Sequence, residues 1–137
     1  MVDVNTNNLY VGRPFFIEPK RNAIYYWRQP RRGIVTSIGR KYFYVGVEGS
    51  KDVLRFEVEG GAYAYEKNGD CNANYVLYDS EEAYQNHMRA EAEKEKICRY
   101  VRDTPFDRFP DDVASAIYEM LLGNGLVSPI EDGGRKV

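Results

Sequence analysis

The chain has 137 residues, 43% of them hydrophobic and 14% aromatic, with a net charge of −2, enough for one packed core without disulfide staples. No stretch approaches the roughly 18 apolar residues of a membrane span, and MVDVNTNNLY lacks the charged-then-apolar start of a secretory signal. Cys71 and Cys98 are too few and too isolated for a disulfide framework, so a reducing cytosol is expected. The charge is polarised: residues 1–51 hold nine Lys and Arg against three acids, a net +6, and residues 52–137 hold ten against eighteen, a net −8. Such a field attracts phosphate at one end, or draws copies of the chain together.

YVGRPFFIEP (10–19) contains an apolar run closed by a proline and predicts a first strand. RNAIYYWRQPRRG (21–33) follows, with Tyr25, Tyr26 and Trp27 in a row among four arginines. GIVTSI (33–38) and KYFYVGV (41–47), joined by Gly39-Arg40, predict a tight hairpin with Tyr42 and Tyr44 on one face and Phe43 and Val45 on the other. VLRFEV (53–58) alternates again, and GGAYAYEKNGDCNANYVLY (60–78) predicts a short strand or extended segment at each end.

From Ser80 the pattern turns helical. Ser80 is an N-cap, Glu81 and Glu82 suit the first turn, and the run lacks Gly and Pro to residue 103. Its apolar positions fall in two groups, Tyr84, Met88 and Ala92 in one, Ala83, Ala90, Ile97 and Val101 in the other. This fits either a helix touching two surfaces or a weakly amphipathic helix on one core. A second helix opens at Pro110, carries Val113, Ile117, Met120 and Leu121, and has Gly123 as its expected C-cap. The fold class is therefore α+β: a small antiparallel β-barrel or bent sheet over residues 1–79, then helices near 80–102 and 110–122. Residues 1–123 form a single domain and 124–137 a loose tail.

Catalytic patterns fail on spacing. GVEGSKD (46–52) lacks the phosphate-loop spacing and a following helix. His87 and Cys98 lie eleven residues apart on one helix, about 16 Å along its axis, too far for a nucleophile and its base. One His and two distant Cys do not make a zinc site, and Asp79, Glu81 and Glu82 are explained by a helix start. The expectation is a binding protein, not an enzyme, without cofactor or metal.

The segment 21–33 is the best binding candidate. Arginines fork onto phosphates, and flat aromatics stack on bases at roughly 1–3 kcal/mol each. Tyr25, Tyr26 and Trp27 would stack, Trp27 as the main platform, and Arg28, Arg31, Arg32 and Arg40 would clamp phosphates. The alternative puts Tyr25 and Trp27 into the core and leaves Tyr26 and the arginines solvated.

GIVTSIGRKYFYV (33–45) and LYDSEEAYQNHMRAEAEKEKICRYVRD (77–103) resemble a group of small phage and prophage proteins. In these, a hairpin of the pattern V-T-x-[IV]-G-[RK]-K-Y-F-x-V precedes a charged helix opening L-Y-x-S-x-E-E, and the group includes the Thoeris anti-defence sponge proteins. The resemblance spans about 40 of the 137 residues and carries no ligand contact over residue by residue. It implies a barrel followed by helices, assembly into oligomers, and sequestration without cleavage of a cyclic ADP-ribose-type immune signal in the cytoplasm of an infected bacterium. Two other functions compete with it. One is a phage inhibitor of a protein or nucleoprotein complex, of anti-CRISPR type; the other is a nucleic-acid-binding small-barrel module. The surplus apolar positions on the long helix and the complementary charge halves predict a homo-oligomer, a C₂ dimer or a multiple of it.

Overall fold

The computed structural model describes residues 2–64 and 73–130, and of Tyr25 only the backbone. The chain divides into two compact units, Met1–Glu91 and Ala92–Val137. Cys71 and the last seven residues of the expected tail lie outside the described residues.

The first unit holds five strands: β1 (Pro14–Arg21), β2 (Arg31–Ile38), β3 (Tyr42–Val47), β4 (Val53–Glu57) and β5 (Ala73–Tyr78). They form one antiparallel sheet in the order β4-β3-β2-β1-β5, curled into a half-barrel. Period-two patterning dictates its inner face, where Phe15, Ile17, Val35, Phe43, Val45, Leu54, Phe56, Tyr75 and Leu77 are all buried. Gly33 permits the curl at the centre of the sheet: a Cβ there would lie 2.7 Å from Val45 Cγ1 and 2.8 Å from Ile17 Cδ1. A register shift between Val35 and Ser37 adds to the bend.

Side chains connect the two edge strands of the sheet, β4 and β5. After β4 the chain folds back so that Tyr63 bridges Phe56. The Tyr63 ring then meets Phe56 at 5.7 Å and Tyr75 of β5 at 4.9 Å, joining opposite edges. Trp27 extends this aromatic line, stacked on Tyr75 at 5.3 Å. The N-terminal segment adds Val4, whose carbonyl accepts from the Gly60 N–H.

The first strand and its exit differ in detail from the sequence expectation. β1 begins only at Pro14 and runs past Pro19 to Arg21. Proline is tolerated there because pairing with β2 ends at Ile17–Arg31, before the residue that has no N–H to give. Arg21, at φ 55, turns the chain out of β1 into a 3₁₀ turn, Asn22–Tyr25.

The helix α1 (Glu81–Asp103) starts where expected, with Ser80 Oγ accepting from the Ala83 N–H at 3.1 Å. Within the first unit its opening turns lie on the outside of β1 and β5: Tyr84 meets Phe16 at 5.2 Å and Tyr78 at 5.3 Å. Phe16 and Tyr78 are buried there, on the face opposite the core. Arg13 Nη2 donates to Asp79 at 2.9 Å, and Arg32 Nη2 to Glu81 at 3.3 Å. Part of the basic-to-acidic attraction read from the sequence is thus spent inside one unit.

The second unit consists of the rest of α1, a 3₁₀ turn at Phe106–Arg108 and α2 (Asp111–Gly123). Tyr100 packs edge-on against Phe109 at 5.4 Å. The expected C-cap moves from Gly123 to Gly125, which takes the left-handed φ of 69. Gly125 N–H donates to Leu122 and Leu126 N–H to Leu121, the paired bonds of a Schellman motif.

Candidate functional site

A five-stranded sheet has an outer face as well as a core face, and within the first unit the opening turns of α1 cover the part over β1 and β5. Among the described residues of that unit, the outer face of β2, β3 and β4 is exposed. On it stand Ile34, 52% exposed, and Thr36 from β2, half-exposed Tyr42 and Tyr44 from β3, and Val53, 55% exposed, with Arg55 from β4. Register brings these into rows: Ile34 opposes Gly46, which opposes Val53, and Tyr44 opposes Arg55.

The two rows differ in chemistry. Gly46 contributes no side chain, so the first row holds a shallow apolar groove of about 390 Å³ between Ile34, Thr36 and Glu48. The second is aromatic and charged, with Glu57 opposite Tyr42. The Arg55 guanidinium lies 4.5 Å from the centroid of the Tyr42 ring, with the Lys41 ammonium 5.5 Å away, and Arg55 Nε also donates to the Ala64 carbonyl at 3.2 Å. Arg40, exposed in the β2–β3 turn, adds a further positive charge.

The segment 21–33 is split by the fold. Trp27 is only 5% exposed; Tyr75 stacks on it and the Arg31 guanidinium sits 5.3 Å from its ring centroid. Its Nε1 has no acceptor among the described residues. Trp27 therefore occupies the position given by the core reading of this segment, with no open face for a base. Tyr26, 65% exposed, remains available and lines a cleft of about 230 Å³ with Asp52, Val53, Tyr63 and Tyr75. Arg28 is exposed, Arg32 is engaged with Glu81, and the Tyr25 side chain lies outside the described residues. Val53 borders both the cleft and the open sheet face.

Sequence reasoning did not single out Tyr42, Tyr44 and Arg55 as candidate site residues. The signal was present, since KYFYV places both tyrosines on one face, but two-sided burial and one-sided exposure look alike until the helix is located.

Beneath α1 lies a second polar cluster. The Tyr78 hydroxyl donates to Glu18 Oε1 at 2.9 Å, and His87 meets the Tyr78 ring at 5.5 Å. Burial first, then the hydrogen bond and charge of Glu18, hold the Tyr78 phenol above its ordinary value. Burial followed by the Glu18 charge raises Tyr84 in the same sense. Neutral phenols fit the role of these groups as packing between helix and sheet.

Comparison with protein families decides the relationship. A family model, the phage ProQ C-terminal-like domain, matches residues 1–125. The chain belongs to that family. This phage ProQ C-terminal-like domain matches none of the curated proteins and none of the solved structures. The family match runs through β1–β5, α1 and α2, so the open sheet face and the second unit's helices both belong to the domain. Among the described residues, no helix of the domain is long and apolar enough to cross a membrane.

Proposed function

We propose that this phage-associated domain is a non-catalytic binder of nucleotide-containing ligands, and that its open sheet face takes a segment of single-stranded nucleic acid. The observation that carries this reading is the pairing on one exposed face of Tyr42 and Tyr44 with Arg55 and Lys41, beside an apolar groove at Gly46. Bases stack on exposed rings and phosphates follow fixed cations, an arrangement that suits an extended strand.

The test is fluorescence anisotropy with labelled single-stranded RNA and DNA of about 12 nucleotides. Tyr44→Ala should weaken binding by roughly tenfold to a hundredfold, the 1–3 kcal/mol of one stacked base. Arg55→Gln should weaken it and flatten its salt dependence by about one phosphate contact. Binding left intact in a folded Tyr44→Ala, Arg55→Gln double variant would remove this face from the function.

A second reading, sequestration of a cyclic ADP-ribose-type signal as in the sponge proteins, draws support from the Tyr26 cleft, where three tyrosines converge within base-sized space. Equilibrium dialysis against a panel of cyclic nucleotides, followed by heat release of intact ligand, separates the two. The sponge reading predicts retention that Tyr26→Ala abolishes and Tyr44→Ala leaves unchanged.

A further inference from the structure

The second unit does not enclose its own apolar surface. Among its described residues none is buried: Ile97 is 58% exposed, Met120 68%, Leu126 69% and Phe106 95%. A cleft of about 530 Å³ opens between the helices, lined by Val101, Phe106, Phe109, Ile117, Tyr118 and Leu121. α2, 13 residues long, does not stay ordered on propensity alone; its stability comes from tertiary burial.

The apolar arc of α2 is also wider than one neighbour requires. At 100° per residue, Ala114, Ile117, Tyr118 and Leu121 centre on the cleft, while Val113 and Met120 lie about 100° further round. One stripe answers to α1 of the same chain, and the other has no partner among the described residues.

Charge indicates what completes it. α2 carries Asp111, Asp112 and Glu119 and no basic residue. The stretch of α1 in this unit carries Lys94, Lys96, Arg99 and Arg102 against Glu93, Glu95 and Asp103. Each unit therefore presents an acidic helix, net −3, beside a helix stretch of net +1, in which Arg99 also pairs with Glu95 and Arg102 with Asp103. Two copies related by a two-fold axis can lay α2 of one against α1 of the other, matching charge and apolar stripe twice over.

We propose that the second unit is a self-association module, occupied by the same unit of a second copy to give a four-helix interface. The interface buries the Val113–Met120 stripe and the exposed Ile97, and attraction between opposite charges fixes its orientation.

The test is light scattering on the full chain after size exclusion at micromolar concentration. The expected mass is twice 15.8 kDa. Met120→Lys and Ile97→Lys replace side chains exposed within one chain, so far-UV circular dichroism should stay unchanged. Each should raise the concentration of half-dissociation at least tenfold, whereas Met120→Leu should keep the dimer. A wild-type chain that is monomeric throughout overturns the proposal and assigns the face to a different protein. A dimer that both lysine variants leave intact overturns it as well, because the contact then lies elsewhere.

Discussion

Replacing Trp27 distinguishes a core residue from a ligand platform. The indole is 5% exposed, is held between Tyr75 and Arg31, and continues the aromatic line through Tyr63 to Phe56 that joins the two sheet edges. Trp27→Ala removes that packing and leaves a cavity, a change that costs about 3–5 kcal/mol at well-packed sites. The lower end applies, because the desolvated Nε1–H offsets part of what the ring contributes. A loss of about 3 kcal/mol, at roughly 4–8 °C per kcal/mol for a unit of this size, lowers Tm by roughly 12–24 °C. Trp27→Phe keeps a stacked ring and gives up only part of the area, so its cost should stay below about 1.5 kcal/mol. Urea titration followed by far-UV circular dichroism measures all three proteins. The single tryptophan also gives an independent wild-type probe, its emission shifting to the red as the fold opens. A Trp27→Ala protein that loses less than about 1 kcal/mol would refute the core assignment. One that stays folded but loses ligand would restore the platform.

Two further outcomes follow from the packing of the first unit. Gly33→Ala forces a Cβ to within 2.9 Å of the Gly46 carbonyl as well as against Val45 and Ile17; it should cost about 1–3 kcal/mol by urea denaturation, and a neutral effect would mean the curl relaxes freely. Tyr78 has a folded-state phenol pKa raised above 10.0, so its neutral form contributes stability that is complete below pH 10 and is lost as pH rises towards the folded value. Wild type should show a steeper alkaline fall in Tm than Tyr78→Phe above pH 10, and parallel curves would contradict the raised pKa.

The sheet was legible because its residues answer to one requirement each. Phe43, Val45, Leu54 and Phe56 had to point to one side, and the Gly39-Arg40 turn could only close a hairpin. Ser80 and the two glutamates after it announced α1 for the same local reason. Tertiary choices were not legible. Proline at 19 looked like a stop because nothing in the sequence tells that the β2 ladder ends first. Gly123 looked like the cap, but the left-handed turn needs a residue beyond Asn124, which Gly125 supplies. Three aromatics in a row at 25–27 were ambiguous because a turn, unlike a strand, has no fixed alternation to say which of them is buried; here Trp27 is buried and Tyr26 exposed.

The open sheet face follows from how the half-barrel is built. An antiparallel sheet curled around its own core has no second layer inside, so its outer surface is covered only where another element reaches it. Phe16 and Tyr78 are the positions where the outer face turns apolar and large, and Tyr84 meets both. Over β3 the same outward register carries Tyr42, Tyr44 and Gly46, which can accept either a layer or a ligand. The cations disfavour a layer. Arg55 and Lys41 lie against the Tyr42 ring, and packing an apolar helix there would strand both charges away from water at a cost of several kcal/mol each. The nucleic-acid ligand proposed for this face would meet the same groups with phosphates for the cations and bases for the tyrosine rings.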